Sequence, residues 1–252
     1  MFNFFAKEEN RQGDFFHLTG PDCNHIKNVL RMKKGDTFLV SCEGKSHLCS
    51  LSECENDFAV AEIIEEDFQD TELPVKLYLF QGLPKGDKME LIIQKAVELG
   101  VYKIIPVEMN RCVVKLDAKK KTTKTARWQA IAESAAKQSK RTLIPEIETP
   151  VSYSEAIRKA AELDLFLVPY ESKRGMEDTK EALSLMKKGS SVGILIGPEG
   201  GFEEYEVEKA FAAGGRVVSL GQRILRTETA AITAVGMCML HTELYLSGDD
   251  ND

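Results

Sequence analysis

Two glycine-containing loops in the C-terminal third constrain the fold and the ligand of this chain more than any other sequence feature. The first lies in Ile194-Leu195-Ile196-Gly197-Pro198-Glu199-Gly200-Gly201-Phe202, and the second in Leu220-Gly221-Gln222-Arg223-Ile224-Leu225-Arg226-Thr227-Glu228-Thr229-Ala230. Each loop follows an apolar run of strand length and precedes a helical pattern. In an open parallel sheet, ligands bind at such strand ends, where glycine lets the backbone approach them closely. The two loops therefore predict one shared pocket.

The first loop is not typical of a phosphate site. It lacks the G-x-G-x-x-G spacing and a Gly-Lys-Ser/Thr ending, and the helical pattern after it opens with Glu203, Glu204 and Glu206. These acids occupy the positive end of the helix dipole and would repel a phosphate. A nucleoside with little negative charge is the better ligand. The alternative is that the glycines only form a sharp turn between a strand and a helix.

The two loops together resemble the cofactor loops of the RsmE family of RNA uridine methyltransferases, which are knotted enzymes of the SPOUT class. Further similarity lies in His25–Arg31, Lys95–Val101, Arg111–Val114 and Arg127–Arg141. The resemblance therefore covers nearly the whole chain. It implies S-adenosyl-L-methionine as cofactor and N3 of a uridine in 16S ribosomal RNA, in the decoding region of the small subunit, as methyl acceptor. Lys140 stands where the family commonly has glycine, and Glu203 where it has a capping serine.

The resemblance also implies which residues form the site. The expected cofactor-binding residues all lie in the two loops: Ile196, Gly197, Glu199, Gly200, Gly201, Leu220, Gly221, Ile224, Leu225, Arg226 and Thr227. A uracil that loses its N3 proton gains negative charge, and a guanidinium stays charged and offers a planar fork of donors. Arg226 is therefore the first catalytic candidate and Arg223 the second, with an ion pair to Glu228 as the alternative role. Glu199 is a candidate for accepting a proton or for shaping the pocket.

Charge is distributed unevenly along the chain. The net charge is −7, but ten basic and only two acidic residues lie between Arg111 and Arg141, against 23 basic and 38 acidic residues elsewhere. A basic patch on an acidic body indicates a polyanionic partner. The lysine run from Lys119 to Lys124 has the alternative of a solvated loop. The expected RNA-binding residues are Arg31, Lys33, Arg111, Lys120, Lys121, Lys124, Arg127, Gln138 and Arg141.

Two regions follow from the hydrophobic pattern. Residues 1–72 show short alternating strands around one helix near Pro21 to Leu30, which favours a small β-barrel, and the resemblance implies a PUA-like RNA-binding domain. Residues 73–252 alternate apolar strands with helices, which indicates an α/β domain with a mostly parallel sheet. The trefoil knot of the SPOUT class follows only from the resemblance, because periodicity cannot reveal it. The helix from Trp128 is expected to bury Trp128, Ile131, Ala132 and Ala135.

The last helix, about Thr229 to Leu246, places Ile232, Val235, Met239 and Leu240 on one stripe. By periodicity this is an ordinary core helix, whereas the resemblance makes it part of a homodimer interface. Ser247 to Asp252 is expected to be a disordered acidic tail.

Composition sets the remaining expectations. The six cysteines form no C-x-x-C pair and the four histidines are scattered, so no metal site or disulfide framework is expected. No apolar run approaches the roughly 20 residues that span a bilayer, and the N-terminal apolar stretch is too short for a signal peptide. A cytoplasmic protein without a membrane partner is therefore expected.

Three function classes remain open. The favoured class is the S-adenosylmethionine-dependent ribosomal RNA methyltransferase. A dinucleotide-dependent oxidoreductase is the second, and the missing glycine fingerprint argues against it. A catalytically silent RNA-binding or ribosome-assembly factor is the third, and the intact cofactor loops argue against it.

Overall fold

A computed structural model describes residues 1–170 and 175–247. Within it the chain divides into two compact units, the first comprising Met1–Glu72 with Ala136–Ile144, and the second Leu73–Ala135 with the rest of the chain from Pro145. The predicted domain boundary at residues 72 and 73 stays a prediction about which segments fold on their own. Of the predicted acidic tail, residues 248–252 lie outside the described residues.

The first unit is built on a six-stranded sheet. Its strands are β1 (Asn3–Phe5), β2 (Arg11–Gln12), β3 (Phe15–Thr19), β4 (Thr37–Cys42), β5 (Lys45–Cys54) and β6 (Phe58–Glu65), in the order β1-β4-β5-β6-β3-β2. Only the β1–β4 pair is parallel among those described. Alternate residues such as Phe16, Phe38 and Leu51 are fully buried in one core. The strands and turns thus agree with the predicted small β domain.

The predicted helix near Pro21 is short and irregular. It consists of α1 (Gly20–Asn24), with Pro21 in its first turn, followed by a π-helical turn at His25–Val29. Arg31, just beyond this turn, has a φ of 52°. Its side chain is exposed, as an RNA-binding role requires.

The second unit contains a sheet whose described strand pairs are all parallel. Its strands are β7 (Lys76–Gly82), β8 (Lys103–Glu108), β9 (Glu146–Ile147), β10 (Val151–Ser152), β11 (Leu165–Pro169), β12 (Ser191–Ile196) and β13 (Arg216–Val218). The order is β10-β8-β7-β12-β11-β13, with β9 also paired to β8. The continuous apolar runs in β7, β8 and β12 suit strands buried on both faces. The α/β fold class predicted from their alternation with helices is confirmed.

Helices connect these strands. They are α2 (Lys88–Glu98), α3 (Ala118–Ser139), α4 (Tyr153–Ala160), α5 (Glu177–Ser184), α6 (Glu204–Ala212) and α7 (Thr227–Tyr245). After the edge strand β13 the chain returns to the centre of the sheet, where α7 packs against α2, β7 and β12. This path agrees with the knotted SPOUT arrangement that the resemblance implies. Because parallel strands all end at the same edge, the loops after β7, β8, β12 and β13 meet there, together with Tyr170 directly after β11.

Helix α3 begins earlier than its apolar pattern indicates. The lysine run from Lys119 to Lys124 forms its first turns, so it is helical and not a loop, while its contact with RNA stays a prediction. Lysine has a high helix propensity, and Asp117 accepts a hydrogen bond from the Lys120 amide at 2.8 Å, which caps the helix. Trp128, Ala132 and Ala135 are buried as predicted, while Ile131 is half-buried.

Helix α7 buries Val235 of the predicted stripe, but its other buried residues differ from those predicted. Small and medium residues face the core, namely Ala231, Ala234, Val235, Cys238 and Thr242, while Leu240 is exposed and Ile232 and Met239 are half-buried. A Cβ on Gly236 would lie 3.8 Å from Leu99, which immediately follows α2. That distance is an ordinary van der Waals contact, so the side of α7 that packs against α2 carries small side chains, and the larger apolar ones lie outside this contact.

The structure shows no helix within residues 1–170 and 175–247 that is long and apolar enough to cross a membrane. All six cysteines are free. The same residues contain no group of three His, Cys, Asp or Glu side chains arranged to hold a metal ion.

Candidate functional site

The first glycine loop follows β12 and is closed by close backbone contacts. A Cβ on Gly197 would lie 3.3 Å from both the Gly201 carbonyl carbon and the Phe202 ring, so a side chain there would displace the turn. Gly201 has a φ of 69°, in the left-handed region that favours glycine. The loop therefore exposes backbone groups rather than side chains at the end of β12.

A buried carboxylate ties this loop to the loop after β8. Glu206 is fully buried in the first turn of α6, where it accepts hydrogen bonds from the amides of Glu203 at 2.8 Å and Asn110 at 3.1 Å. Arg111 donates to the Gly200 carbonyl at 2.9 Å and pairs with Glu203. Glu206 thus caps the N-terminus of α6, where the sequence has Glu203 in place of a capping serine.

The second glycine loop follows β13 and is held from both ends. At its start, the Ser219 amide donates to the Thr179 hydroxyl at 2.8 Å, and that hydroxyl donates to the Ser219 carbonyl at 3.1 Å. Gly221 has a φ of 103°. At its end, the Thr227 hydroxyl donates to the Gly197 carbonyl at 2.7 Å, which joins the two loops directly.

A cavity of about 660 Å³ lies between the two loops, within the range of small-molecule sites. All eleven residues predicted to bind the cofactor line it, and so do Arg223, Arg111, Lys88, Pro169, Tyr170, Pro198, Phe202, Glu204 and Ala230. The predicted shared pocket therefore exists as a single cavity at the carboxyl edge of the sheet. That these residues hold a cofactor stays a prediction.

Lys88, at the start of α2, neutralises the acids of this cavity. Its ammonium lies 3.0 Å from Glu199 and 3.2 Å from Glu228. The hydrogen bond to Glu199 raises the pKa of Lys88. Burial raises the pKa of Glu199, but hydrogen bonds from Lys88 and from backbone amides outweigh it and leave that pKa lowered. A carboxylate held ionised in this way is a weak base, which favours the pocket-shaping role of Glu199 over proton acceptance.

The two arginines of the second loop remain available to a ligand. Arg226 and Arg223 are exposed side chains on the cavity wall, and neither forms an ion pair within residues 1–170 and 175–247. The alternative pairing of Arg226 with Glu228 is not present, because Glu228 contacts Lys88 instead. Both guanidinium groups are therefore free to contact an anionic group in the cavity.

The residues predicted to bind RNA occur in both units. Arg31, Lys33, Gln138 and Arg141 belong to the first unit, whereas Arg111, Lys120, Lys121, Lys124 and Arg127 belong to the second. Arg141 is only 3% exposed, and its guanidinium binds the carboxylate of Glu72, with Nε at 3.2 Å. This ion pair gives Arg141 a structural role, so we leave it out of the RNA surface. Arg111 is likewise engaged by the first glycine loop.

Two polar residues of the site, Lys88 and Gln81, could hardly have been assigned to it from the sequence. Lys88 is recognisable only from its contacts with Glu199 and Glu228. Gln81 is fully buried at the end of β7, and its amide nitrogen donates to the Thr227 hydroxyl at 3.0 Å. A polar residue closing an apolar strand, immediately before Gly82, is the one signal that marks it.

Comparison with known proteins gives consistent results. The sequence profile described as "RNA methyltransferase domain" matches residues 71–239, and that described as "RNA methyltransferase PUA domain" matches residues 18–68. The chain is 41% identical over 248 residues to ribosomal RNA small subunit methyltransferase E of Bacillus subtilis, covering 97% of this chain and 96% of that protein. The identity is 35% over 241 residues to the protein of the same name from Mesomycoplasma hyopneumoniae, with 95% and 99% coverage.

One solved structure has the same fold along nearly its whole length. This is the ribosomal RNA small subunit methyltransferase E of Neisseria gonorrhoeae, determined with bound S-adenosyl methionine. Its TM-score against this chain is 0.83 and its sequence identity 33%, with 95% of this chain and 97% of that chain covered.

Proposed function

Because this chain belongs to the ribosomal RNA small subunit methyltransferase E family, we propose that it methylates N3 of a uridine in the decoding region of 16S ribosomal RNA. The chain is a ribosomal RNA methyltransferase that uses S-adenosyl-L-methionine. The N3 atom as acceptor, the assembled small subunit as substrate and a homodimeric state are the finer parts of the proposal.

The cavity between the two glycine loops suits this cofactor. Gly197, Gly201 and Gly221 leave backbone groups uncovered where an adenosine needs hydrogen-bond partners. The acidic start of α6 disfavours a phosphate, which agrees with a nucleoside that carries none. When bound, S-adenosylmethionine supplies a methyl group on a positively charged sulfur. The dinucleotide alternative requires phosphates beside these acids and does not fit.

The single observation that carries the proposed chemistry is the free guanidinium of Arg226 on the cavity wall. Methylation at N3 requires loss of the N3 proton, and the uracil ring then carries negative charge. A cation placed beside the ring stabilises that charge as it develops. Arg223 lies on the same wall and can orient the nucleotide. No covalent intermediate with the enzyme is needed.

Methyl transfer to assembled small subunits tests the proposal. Subunits from cells that lack the modification are incubated with radiolabelled S-adenosylmethionine, and the labelled nucleoside is identified after complete digestion. We expect 3-methyluridine. Label on uracil C5 would overturn the N3 assignment, and no transfer to subunits or to free RNA would favour the catalytically silent RNA-binding factor.

We also propose that exposed cations on both units bind the RNA. Arg31 and Lys33 are exposed in the first unit, and Lys120 and Arg127 on α3 in the second. Replacing Lys120, Lys121 and Lys124 with alanine should weaken RNA binding and flatten its salt dependence, since fewer counterions are released. An unchanged salt slope would remove α3 from the RNA surface.

The homodimer is supported by the outer face of α7. Leu240, Leu244 and Tyr245 are 53%, 70% and 73% exposed, and Ile224 in the second glycine loop is 85% exposed. Apolar surface of this kind marks an interaction site, and we propose a second copy of the chain as the partner. An enzyme that modifies ribosomal subunits works in their compartment, so we place it in the cytoplasm.

A further inference from the structure

A second cavity, of about 300 Å³, lies in the larger unit beside the first glycine loop. It is lined by Leu83, Pro84, Gly86, Asp87, Met89, Val114, Leu116, Lys124 and Trp128. Six of these are apolar side chains or proline rings, and Trp128 is the only tryptophan of the chain. The cavity is too small for the cofactor and the target nucleotide together, but its apolar walls, which include the small exposed part of Trp128 (3%), can take one flat ring.

Charged side chains surround this apolar cavity. Along Val113–Asp117 the residues alternate, with Val114 and Leu116 lining the cavity and Val113 (67%) and Lys115 exposed. The Lys124 ammonium lies 5.7 Å from the centre of the Trp128 ring. Within residues 1–170 and 175–247, Lys124 has no carboxylate partner, whereas Lys115 lies on the exposed side of this segment with Val113. The rim therefore offers one unpaired ammonium, that of Lys124, and one carboxylate, that of Asp87.

One chain segment separates the two cavities. In the segment from Leu83 to Met89, Lys88 lines the cofactor cavity, whereas its neighbours Asp87 and Met89 line the second one. The Lys85 amide donates to Glu199 at 3.1 Å, which fixes this segment against the first glycine loop. Since consecutive Cα atoms lie about 3.8 Å apart, the walls of the two cavities adjoin at Lys88.

We propose that the second cavity binds an unpaired nucleobase that flanks the target uridine in the RNA. This proposal rests on the proposed function. A nucleotide offers a flat base to the walls around Trp128, a backbone phosphate to Lys124, and N–H groups from which the Asp87 carboxylate can accept hydrogen bonds. Aromatic residues combined with a positively charged rim are the usual means of holding single-stranded nucleic acid.

Filling the cavity tests this inference. Val114→Phe places a ring inside the cavity, and the matched control Val113→Phe places the same ring in solvent. We expect Val114→Phe to raise KM for assembled small subunits by about tenfold, the lower range for loss of one stacked base, while affinity for S-adenosylhomocysteine is unchanged. Val113→Phe should behave as wild type. Equal KM values for the two variants would overturn the subsite and leave the proposed function standing.

Trp128 fluorescence provides an independent measurement on the wild-type protein. A five-nucleotide oligouridylate should change the emission, whereas an abasic oligomer of the same length and charge should not. Equal responses to both probes would overturn the proposal. If Val114→Phe does not fold, Lys124→Gln at the rim replaces it, with a several-fold rise in KM expected and an unchanged KM contradicting the subsite. Absence of methylation by the wild-type enzyme would instead contradict the proposed function.

Discussion

The buried amide of Gln81 donates a hydrogen bond to the Thr227 hydroxyl at 3.0 Å, and this bond connects the end of β7 to the start of α7. The same hydroxyl donates to the Gly197 carbonyl at 2.7 Å. One threonine oxygen therefore links three segments, two of which form opposite walls of the cofactor cavity. The relative position of the two glycine loops depends on this oxygen.

Removing the hydroxyl should loosen the cavity. Thr227→Val leaves one N–H of the Gln81 amide and the Gly197 carbonyl without their partner, while the Gln81 nitrogen keeps its hydrogen bond to the Gly82 carbonyl at 2.9 Å. The cost is about 1–3 kcal/mol for each buried group left unsatisfied. We expect S-adenosylhomocysteine to bind at least tenfold more weakly in calorimetry. The control is Thr242→Val in the same helix, where the hydroxyl bonds only the Cys238 carbonyl, four residues earlier. Equal affinities for the two variants would contradict the linking role of Thr227.

Arg226→Lys tests the role of the free guanidinium. Lysine keeps the charge but loses the planar fork of donors, so methyl transfer should slow by on the order of 10²-fold or more. Cofactor affinity should stay near that of wild type. Single-turnover methylation of small subunits measures the rate, with Arg216→Lys on β13 as the control. Wild-type rates in both Arg226→Lys and Arg226→Ala would exclude the catalytic role.

Replacing Lys88 with methionine should change how the stability of the protein depends on pH, because Lys88 neutralises Glu199 and Glu228 in the wild type. In the wild type the pKa of Glu199 is lowered from 4.5 and that of Lys88 is raised from 10.5. A lowered carboxylate pKa contributes stability that is present above 4.5 and lost as pH falls through the folded-state pKa. A raised lysine pKa contributes stability that is present below 10.5 and lost as pH rises through the folded-state pKa.

The melting temperature of Lys88→Met should therefore lie below that of wild type across the neutral range, and the difference should shrink below pH 4.5. Thermal melts between about pH 2.5 and pH 9 cover the window below the unfolded-state pKa of Glu199. Lys95→Met on the same helix removes an ammonium that pairs with Glu98 alone, and it should change little at any pH. If the melting temperature of Lys88→Met lies below that of wild type by the same amount at every pH, lost packing and not lost charge is the cause.

Lys140→Gly should stabilise the protein. Lys140 has a φ of 59° directly after α3, in the left-handed conformation that helix ends usually assign to glycine. Glycine adopts this conformation without strain but loses more backbone entropy on folding. The net gain in the free energy of unfolding is therefore up to about 1 kcal/mol. The melting temperature should rise by about 2 °C. Ala130→Gly, on the exposed face of α3, should lower it instead; the same sign for both would contradict the assignment.

Leu244→Glu should separate the proposed dimer. The side chain is 70% exposed on α7, and a buried unpaired carboxylate at an interface is strongly unfavourable. Light scattering should give twice the 28.1 kDa chain mass for wild type and one chain mass for the variant. Leu185→Glu, which is exposed after α5, is the control. A wild-type protein that is already monomeric would contradict the dimer.

The elements that the sequence predicts well are those in which one local pattern decides the outcome. The apolar run Val192 to Ile196 is buried at the centre of a parallel sheet, which is the arrangement that a short apolar run of strand length favours. The glycine loops can also be predicted from the sequence, because Gly201 and Gly221 occupy backbone conformations that other residues rarely adopt. All predicted cofactor-binding residues therefore lie on one cavity.

The sequence predicts less where the deciding partner is distant along the chain. Arg141 resembles an exposed cation until Glu72, 69 residues earlier, is placed beside it. The Lys88 contacts with Glu199 and Glu228 arise from folding across the sheet and leave no periodic signal. In α7 the buried stripe follows from close packing with α2, which favours alanine over the larger residues that hydrophobicity alone would bury.

The two walls of the cofactor cavity differ in how the sheet supports them. The first glycine loop extends from β12, which is hydrogen-bonded on both sides by β7 and β11, whereas the second extends from the three-residue edge strand β13. Amide protons around Ile196 should therefore exchange with solvent far more slowly than those around Val218. The wall formed by the first glycine loop should therefore be the more rigid one, and Arg223 and Arg226 lie on the more mobile wall.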